Sequence, residues 1–310
     1  MKALALFSGG LDSCLAVKLI QEQGIEVIGI TFLTPFFSPF HAKEMAARLK
    51  MEHHFVELGE EYLSLVLNPR YGYGKNMNPC IDCHGFMIKK AGDMLGDFGA
   101  SFIITGEVLN ERPFSQTRRG LSLVDKISGY GDLTLRPLSA KLLPPTLPER
   151  EGWVKRELLL GIKGRKRDKQ FELAEKYGIK KFPTPAGGCL LTDPSFSRRL
   201  KDAIEHGEVS LEDIELLKTG RHFRINGVKV IISRNRKETE EMKRYRIYFR
   251  PEHSSAPAGL YRGELSEEEM KAAASLLLRY LGRRERVIFE GVGMIEAEPM
   301  ERDEAERYMV

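Results

Sequence analysis

The chain has little cysteine, four residues among 310, a single tryptophan, and no run of about 18 apolar residues that could form a membrane helix. Met1-Lys2 leads straight into a short apolar stretch, with no room for a cleavable leader, so a cytoplasmic chain with no membrane partner is expected. Four cysteines over this length do not make a disulfide framework. In a reducing compartment, closely spaced cysteines more often bind metal or do chemistry. Heptads, internal repeats and low-complexity tracts are missing, which excludes coiled coils and solenoids. Two common phosphate loops are missing as well. No Gly-x-x-x-x-Gly-Lys-Ser/Thr occurs, and no Gly-x-Gly-x-x-Gly follows a strand.

What is present begins six residues in. Leu6-Phe7-Ser8-Gly9-Gly10-Leu11-Asp12-Ser13 joins an apolar run at 2–7 to a segment from residue 12 whose Leu15, Ala16, Leu19 and Ile20 recur at helical spacing. The glycines therefore fall at a helix N-terminus. Free backbone N–H groups and the positive helix end favour an anion there, and residues without Cβ let the backbone approach phosphate oxygens. Strand-like and helix-like segments then alternate, with strands at 26–33, 54–58 and 101–105 and a helix near 41–50. That alternation predicts a parallel sheet covered by helices, an α/β fold whose ligand lies beyond the carboxyl ends of the strands. Phe32 and the Thr105-Gly106-Glu107 turn end two strands on that edge and are expected in the nucleotide pocket, together with Arg112 and Gln116.

Position for position, the loop resembles the Ser-Gly-Gly-x-Asp-Ser signature of the PP-loop ATP pyrophosphatases. The resemblance implies an adenine nucleotide alpha hydrolase-like domain that splits ATP into AMP and pyrophosphate and uses AMP to activate a carbonyl oxygen. Ser8, Gly9, Gly10, Leu11 and Ser13 would hold the phosphates, and Asp12 would hold Mg²⁺ or orient the loop, since oxygen ligands suit that hard cation.

Asn78-Pro79-Cys80-Ile81-Asp82-Cys83-His84 precedes a helical run at 86–95, and a third cysteine, Cys189, closes the proline- and glycine-rich loop 182–189. Three readings stay open from the residues. Zinc would need a fourth ligand, His84 or Cys14; a dithiol or persulfide pair needs only two sulfurs; and three cysteines on a [4Fe–4S] cluster would leave one iron open. This arrangement is similar to the tRNA-thiolating PP-loop enzymes whose three cysteines hold an iron–sulfur cluster. The resemblance implies that Cys80, Cys83 and Cys189 are the cluster ligands and, with Asp12, the catalytic group. Cys14 is expected in the core beneath the loop, and His84 as a hydrogen-bonded bystander.

Residues 150–250 carry 25 Lys or Arg against 15 Asp or Glu, although the whole chain has a net charge of only +4. A concentrated surplus of that kind predicts an anionic partner, nucleic acid foremost. Lys163, Arg165, Lys166, Arg167, Arg198, Arg199, Arg221 and Arg234 are the expected RNA contacts. The proline-dense 142–149 stretch should lack regular structure. Helices at 197–206 and 211–218, then a hairpin through Asn226-Gly227, predict a smaller α+β domain over 196–310, after a PP-loop domain over 1–195. Gly220-Arg221-His222-Phe223-Arg224, followed by Val230 to Asn235, is similar to the NFACT-R type of RNA-binding domain. Together these resemblances imply a tRNA thiouridine synthase, replacing a uridine 4- or 2-oxygen with sulfur from sulfide or a persulfide carrier, as a monomer or a homodimer. Two other readings remain: another PP-loop ligase, or an ATP-binding RNA-binding protein with structural zinc.

Overall fold

The computed structural model describes residues 1–37, 41–180, 182, 188–245 and 248–310. Of the loop expected to present Cys189, residues 183–187 lie outside them. The chain divides into two compact units, Met1–Asp193 and Pro194–Val310.

The first unit is a five-stranded parallel sheet, β1 (Lys2–Leu6), β2 (Glu26–Leu33), β3 (Glu52–Glu57), β4 (Phe102–Thr105) and β5 (Thr134–Leu135), in the order β3-β2-β1-β4-β5. Its helices are α1 (Leu11–Gln21), α2 (Ala42–Arg48), α3 (Glu60–Leu67), α4 (Cys80–Asp93), α5 (Arg118–Ser128), α6 (Leu147–Arg150) and α7 (Asp168–Lys176). β1 is central, paired with β2 on one side and β4 on the other. Buried on both faces, it is apolar after Lys2, with Ala3, Leu4 and Ala5 at most 1% exposed. The chain runs outward from β1 to β3 and returns to β4 across the sheet, so the strand order reverses at the carboxyl end of β1. Cys14, Leu15 and Ile20 of α1 join one apolar cluster with Phe102 of β4 and Ala174 of α7.

The proline-dense stretch is more regular than its composition predicts. Pro148 falls in the first turn of α6, where its missing N–H costs nothing, and Thr146 and Glu149 form a reciprocal capping box.

The second unit holds a six-stranded sheet, β6 (Arg221–Ile225), β7 (Val228–Ile232), β8 (Tyr248–Pro251), β9 (Gly259–Arg262), β10 (Glu285–Phe289) and β11 (Gly293–Ala297), in the order β11-β10-β8-β9-β7-β6. Every pairing in it is antiparallel. The helices are α8 (Pro194–Glu205), α9 (Leu211–Leu216), α10 (Arg236–Met242), α11 (Glu267–Leu281) and α12 (Arg302–Tyr308). Ile225 faces Val228, so Asn226-Gly227 forms a two-residue turn, and both residues take the positive φ it requires. Leu276 and Leu277 of α11 pack with Phe223, Phe249 and Phe289 in this unit's core. Among the described residues no helix is long and apolar enough to cross a membrane.

Candidate active site

Ser8–Ser13 turns from β1 into α1. Ser13 Oγ donates to the Gly10 carbonyl at 2.8 Å, and Gly10 N–H donates to Ser8 Oγ at 3.3 Å. Gly9 sits at φ +74°, and a Cβ there would meet the Ala42 Cα at 2.8 Å. Gly106 lies against the same turn, where a Cβ would stand 2.5 Å from Ser13 N. Both positions thus exclude a side chain. Leu11 contributes only backbone to the loop, because its side chain belongs to the core. Phe32 is a buried residue of β2, and Cys14 is fully buried, its thiol pushed up to about 12 by that burial.

Asp12 has a partner that the sequence reading placed on RNA. Arg167, the residue before α7, donates from Nη2 to Asp12 Oδ2 at 2.9 Å and is only 11% exposed. Burial pushes the Asp12 carboxyl up, and the Arg167 charge opposes that push. Arg167, expected among the RNA contacts, is paired with Asp12 instead of standing exposed: α7 packs on α1 and carries the guanidinium in beside the loop.

The three cysteines come together although 106 residues separate Cys83 from Cys189. Leu190 N–H donates to the Phe36 carbonyl just past β2, and Met77 N–H donates to the Leu191 carbonyl, so the Cys189 segment is held between the carboxyl edge of the sheet and the approach to α4. Cys80 Sγ donates to Asn78 Oδ1 at 3.0 Å, while Asn78 Nδ2 donates to Cys189 Sγ at 3.8 Å. Cys83 Sγ lies 3.0 Å from the Tyr62 hydroxyl. Burial and the charge of Cys189 push the Cys80 thiol up to about 11 against the opposing charge of Arg112. Burial raises Cys83 and Cys189 as well. Three thiols are the soft donor set that zinc or an iron–sulfur cluster takes. Among the described residues, however, no group of three or more His, Cys, Asp or Glu is arranged to hold a metal ion.

Glu107 ties the two regions together. Its Oε1 lies 2.8 Å from His84 Nδ1 on the cysteine-bearing helix, and its Oε2 accepts from Arg136 Nε at 2.9 Å and from the Thr105 hydroxyl at 3.2 Å. Arg136 also holds Asp125. Burial would raise the Glu107 carboxyl, but the charges of Arg136 and His84 prevail and hold it at about 2. Glu107 is therefore an ionised anchor, with the adjacent Gly106 against the phosphate turn. Gln116 closes the neighbouring loop, accepting from Arg112 N–H at 3.1 Å and from Asn110 N–H at 2.7 Å. Sequence reasoning assigned no role to Tyr62, Glu111, Arg136 and Gln170, which belong to no motif, or to Asn78, which opens the cysteine motif. Asn78, two residues before Cys80, was within reach of a closer look.

Of the remaining RNA expectations, Lys163, Arg165 and Lys166 are exposed in the first unit, and Arg198 in the second. Arg199 donates to the Leu217 carbonyl at 2.9 Å. Arg221 lies 4.3 Å over the Tyr280 ring, and Arg234 is paired with Glu238.

Two family descriptions match separate stretches: "tRNA methyl transferase HUP domain" over residues 1–111, and "NFACT protein RNA binding domain" over residues 220–309. The resemblances carried by the loop and by the β6–β7 hairpin are thus found in both stretches. Among curated relatives, the tRNA-specific 2-thiouridylase MnmA of Pelobacter propionicus is 36% identical over 121 residues, covering 34% of this chain and 33% of the relative. That of Syntrophomonas wolfei is 37% identical over 113 residues, covering 33% and 32%. The chain thus spans about one third of the length of the curated relatives it matches. A solved 4-thiouridine synthetase in complex with RNA and ATP aligns with a TM-score of 0.40 and 22% identity, covering 69% of this chain and 53% of that one.

Proposed function

We propose that the protein is an ATP-dependent tRNA sulfurtransferase that makes 4-thiouridine or 2-thiouridine. The observation that carries this reading is the convergence of Cys80, Cys83 and Cys189 at the sheet edge that bears the Ser8–Ser13 loop, linked to it through His84, Glu107 and Gly106.

The uridine carbonyl oxygen takes the adenylyl group of ATP and pyrophosphate leaves. Sulfur then attacks the activated carbon, and AMP departs with the former carbonyl oxygen. Ser8, Gly9, Gly10 and Ser13 hold the phosphates, and Asp12 would hold the Mg²⁺ that accompanies them. The base leaves its stack to reach the site, as other modified bases do. Cys80, Cys83 and Cys189 are the residues that would hold a [4Fe–4S] cluster, which would supply an iron open to sulfide; with a persulfide instead, its outer sulfur would attack the carbon and a second of these thiols would then break the S–S bond, ending as a disulfide. Sulfide or a persulfide carrier is the donor, and the tRNA places the reaction in the cytoplasm.

Anaerobically purified protein, given ATP, sulfide and tRNA from a deletion strain, should form thiouridine with AMP and pyrophosphate. Cys189→Ala should abolish thiouridine while tRNA binding persists. Undiminished thiolation by that variant would remove the mechanism. Iron with acid-labile sulfide in the protein supports the cluster, whereas a preparation that lacks both, is inactive with sulfide and is active with a persulfide carrier supports the persulfide route.

A further inference from the structure

Nine buried side-chain nitrogen and oxygen atoms lack a hydrogen-bond partner among the described residues, and six of them belong to Asp12, Glu111, Arg167 and Gln170. Native proteins rarely leave such atoms unpaired, because each costs about 1–3 kcal/mol. Six of the nine cluster beside one loop, a concentration that a bound polar ligand accounts for.

Their chemistry sorts into two sets. Arg167 Nε and Nη1 and Gln170 Nε2 are donors, and Gln170 is fully buried and close enough to Asp12 to oppose the upward shift of its carboxyl. Asp12 Oδ1 and Glu111 Oε2 are acceptors that stay available while Asp12 Oδ2 is held by Arg167. Donors suit phosphate oxygens, and paired carboxylate oxygens suit a hydrated divalent cation. Both stand beside the helix N-terminus that follows the double glycine.

We propose that Arg167 is a triphosphate-binding residue for ATP, braced on Asp12 and backed by Gln170, with Glu111 as a further acceptor for the nucleotide's cation. This rests on the ATP-dependent reading above and assigns to nucleotide a residue that its place in a basic run gave to RNA. The planar guanidinium keeps one nitrogen on the carboxylate and has two more, closed off from solvent beside the Phe171 ring, which a small shift of the side chain would turn to phosphate, as Lys cannot. Ser8 on the loop and Arg112 beyond Glu111 are exposed, so the triphosphate meets this group from its open edge. Lys163, Arg165 and Lys166 remain free for the RNA backbone.

The test measures two affinities separately: α,β-methylene-ATP with Mg²⁺ by calorimetry, and tRNA by gel shift. Arg167→Ala should weaken nucleotide binding about 10- to 100-fold and leave tRNA affinity unchanged. The double variant Arg165→Ala/Lys166→Ala should do the reverse. If Arg167→Ala does not fold, Arg167→Lys decides by the same pair of affinities, because it keeps the charge on Asp12. Loss of tRNA affinity with nucleotide binding intact in either Arg167 variant overturns the assignment. Wild-type protein that binds no nucleotide at all removes the ATP reading itself.

Discussion

His84 Nδ1 and Glu107 Oε1 lie 2.8 Å apart, joining the helix that carries Cys80 and Cys83 to the turn after β4. The same carboxylate holds Arg136, which is 4% exposed at its side chain. A buried carboxylate, an imidazole and a guanidinium thus fix how the cysteine helix sits against the strand end, one residue from Gly106 and the phosphate turn. A bond this central to the geometry has measurable consequences.

Glu107→Gln leaves Arg136 with only Asp125 to offset its charge, and should destabilise the protein by about 3 kcal/mol. The pH dependence has a definite sign. The folded carboxyl is held at about 2 against an ordinary 4.5, so its contribution is complete above pH 4.5 and is lost as pH falls toward 2. Urea midpoints measured down this range should fall more steeply for wild type than for Glu107→Gln. Parallel curves would show that Glu107 carries no stabilising charge.

Gly106→Ala places a methyl 2.5 Å from the Ser13 backbone nitrogen, which cannot give way without distorting the phosphate turn. Nucleotide affinity should drop at least about tenfold, with thermal stability lowered by about 1–3 kcal/mol. Calorimetric titration of this variant with a nonhydrolysable ATP analogue checks the first, and a melting curve the second.

In protein stripped of any metal, burial and the Cys189 charge push the Cys80 thiol up to about 11, which keeps it protonated at neutral pH. Its alkylation by iodoacetamide, followed by peptide mass spectrometry under anaerobic conditions, should be slow at pH 7 and rise about tenfold per pH unit toward 11. Removing the Arg112 charge, which opposes the upward shift, should slow it further. A rate already level below about pH 9 would mean that something in the site stabilises the thiolate.

In the second unit, Arg221→Ala removes a guanidinium from the Tyr280 ring and should cost about 1 kcal/mol in stability. Arg198→Ala, on an exposed position of α8, should leave stability unchanged and make the plot of log tRNA affinity against log salt shallower by about one. If Arg198→Ala leaves that slope unchanged, Arg198 is not a phosphate contact.

The parts legible in the sequence were those governed by local rules. The double glycine announced its turn because few other residues fit, and Asn226-Gly227 announced a hairpin. Cys80 and Cys83 lay one helical turn apart in plain view. What local rules could not deliver were contacts across long loops, such as Arg167 on Asp12 or Arg136 on Glu107. A cationic run looks the same in sequence whether its members face solvent or one of them turns inward. α7 packing on α1 makes that choice for Arg167, and nothing in residues 163–169 records it. The short α6 shows the converse: a proline-rich composition overruled by one favourable first-turn position.

Asn78 stands between two sulfurs, accepting from Cys80 and donating to Cys189. A carboxamide so placed acts as insulation. A disulfide between those cysteines would take the S–H hydrogen that Cys80 donates, so forming it forfeits the bond to Asn78. The amide thus opposes one pairing among the three sulfurs and leaves Cys83 with a partner of its own, Tyr62.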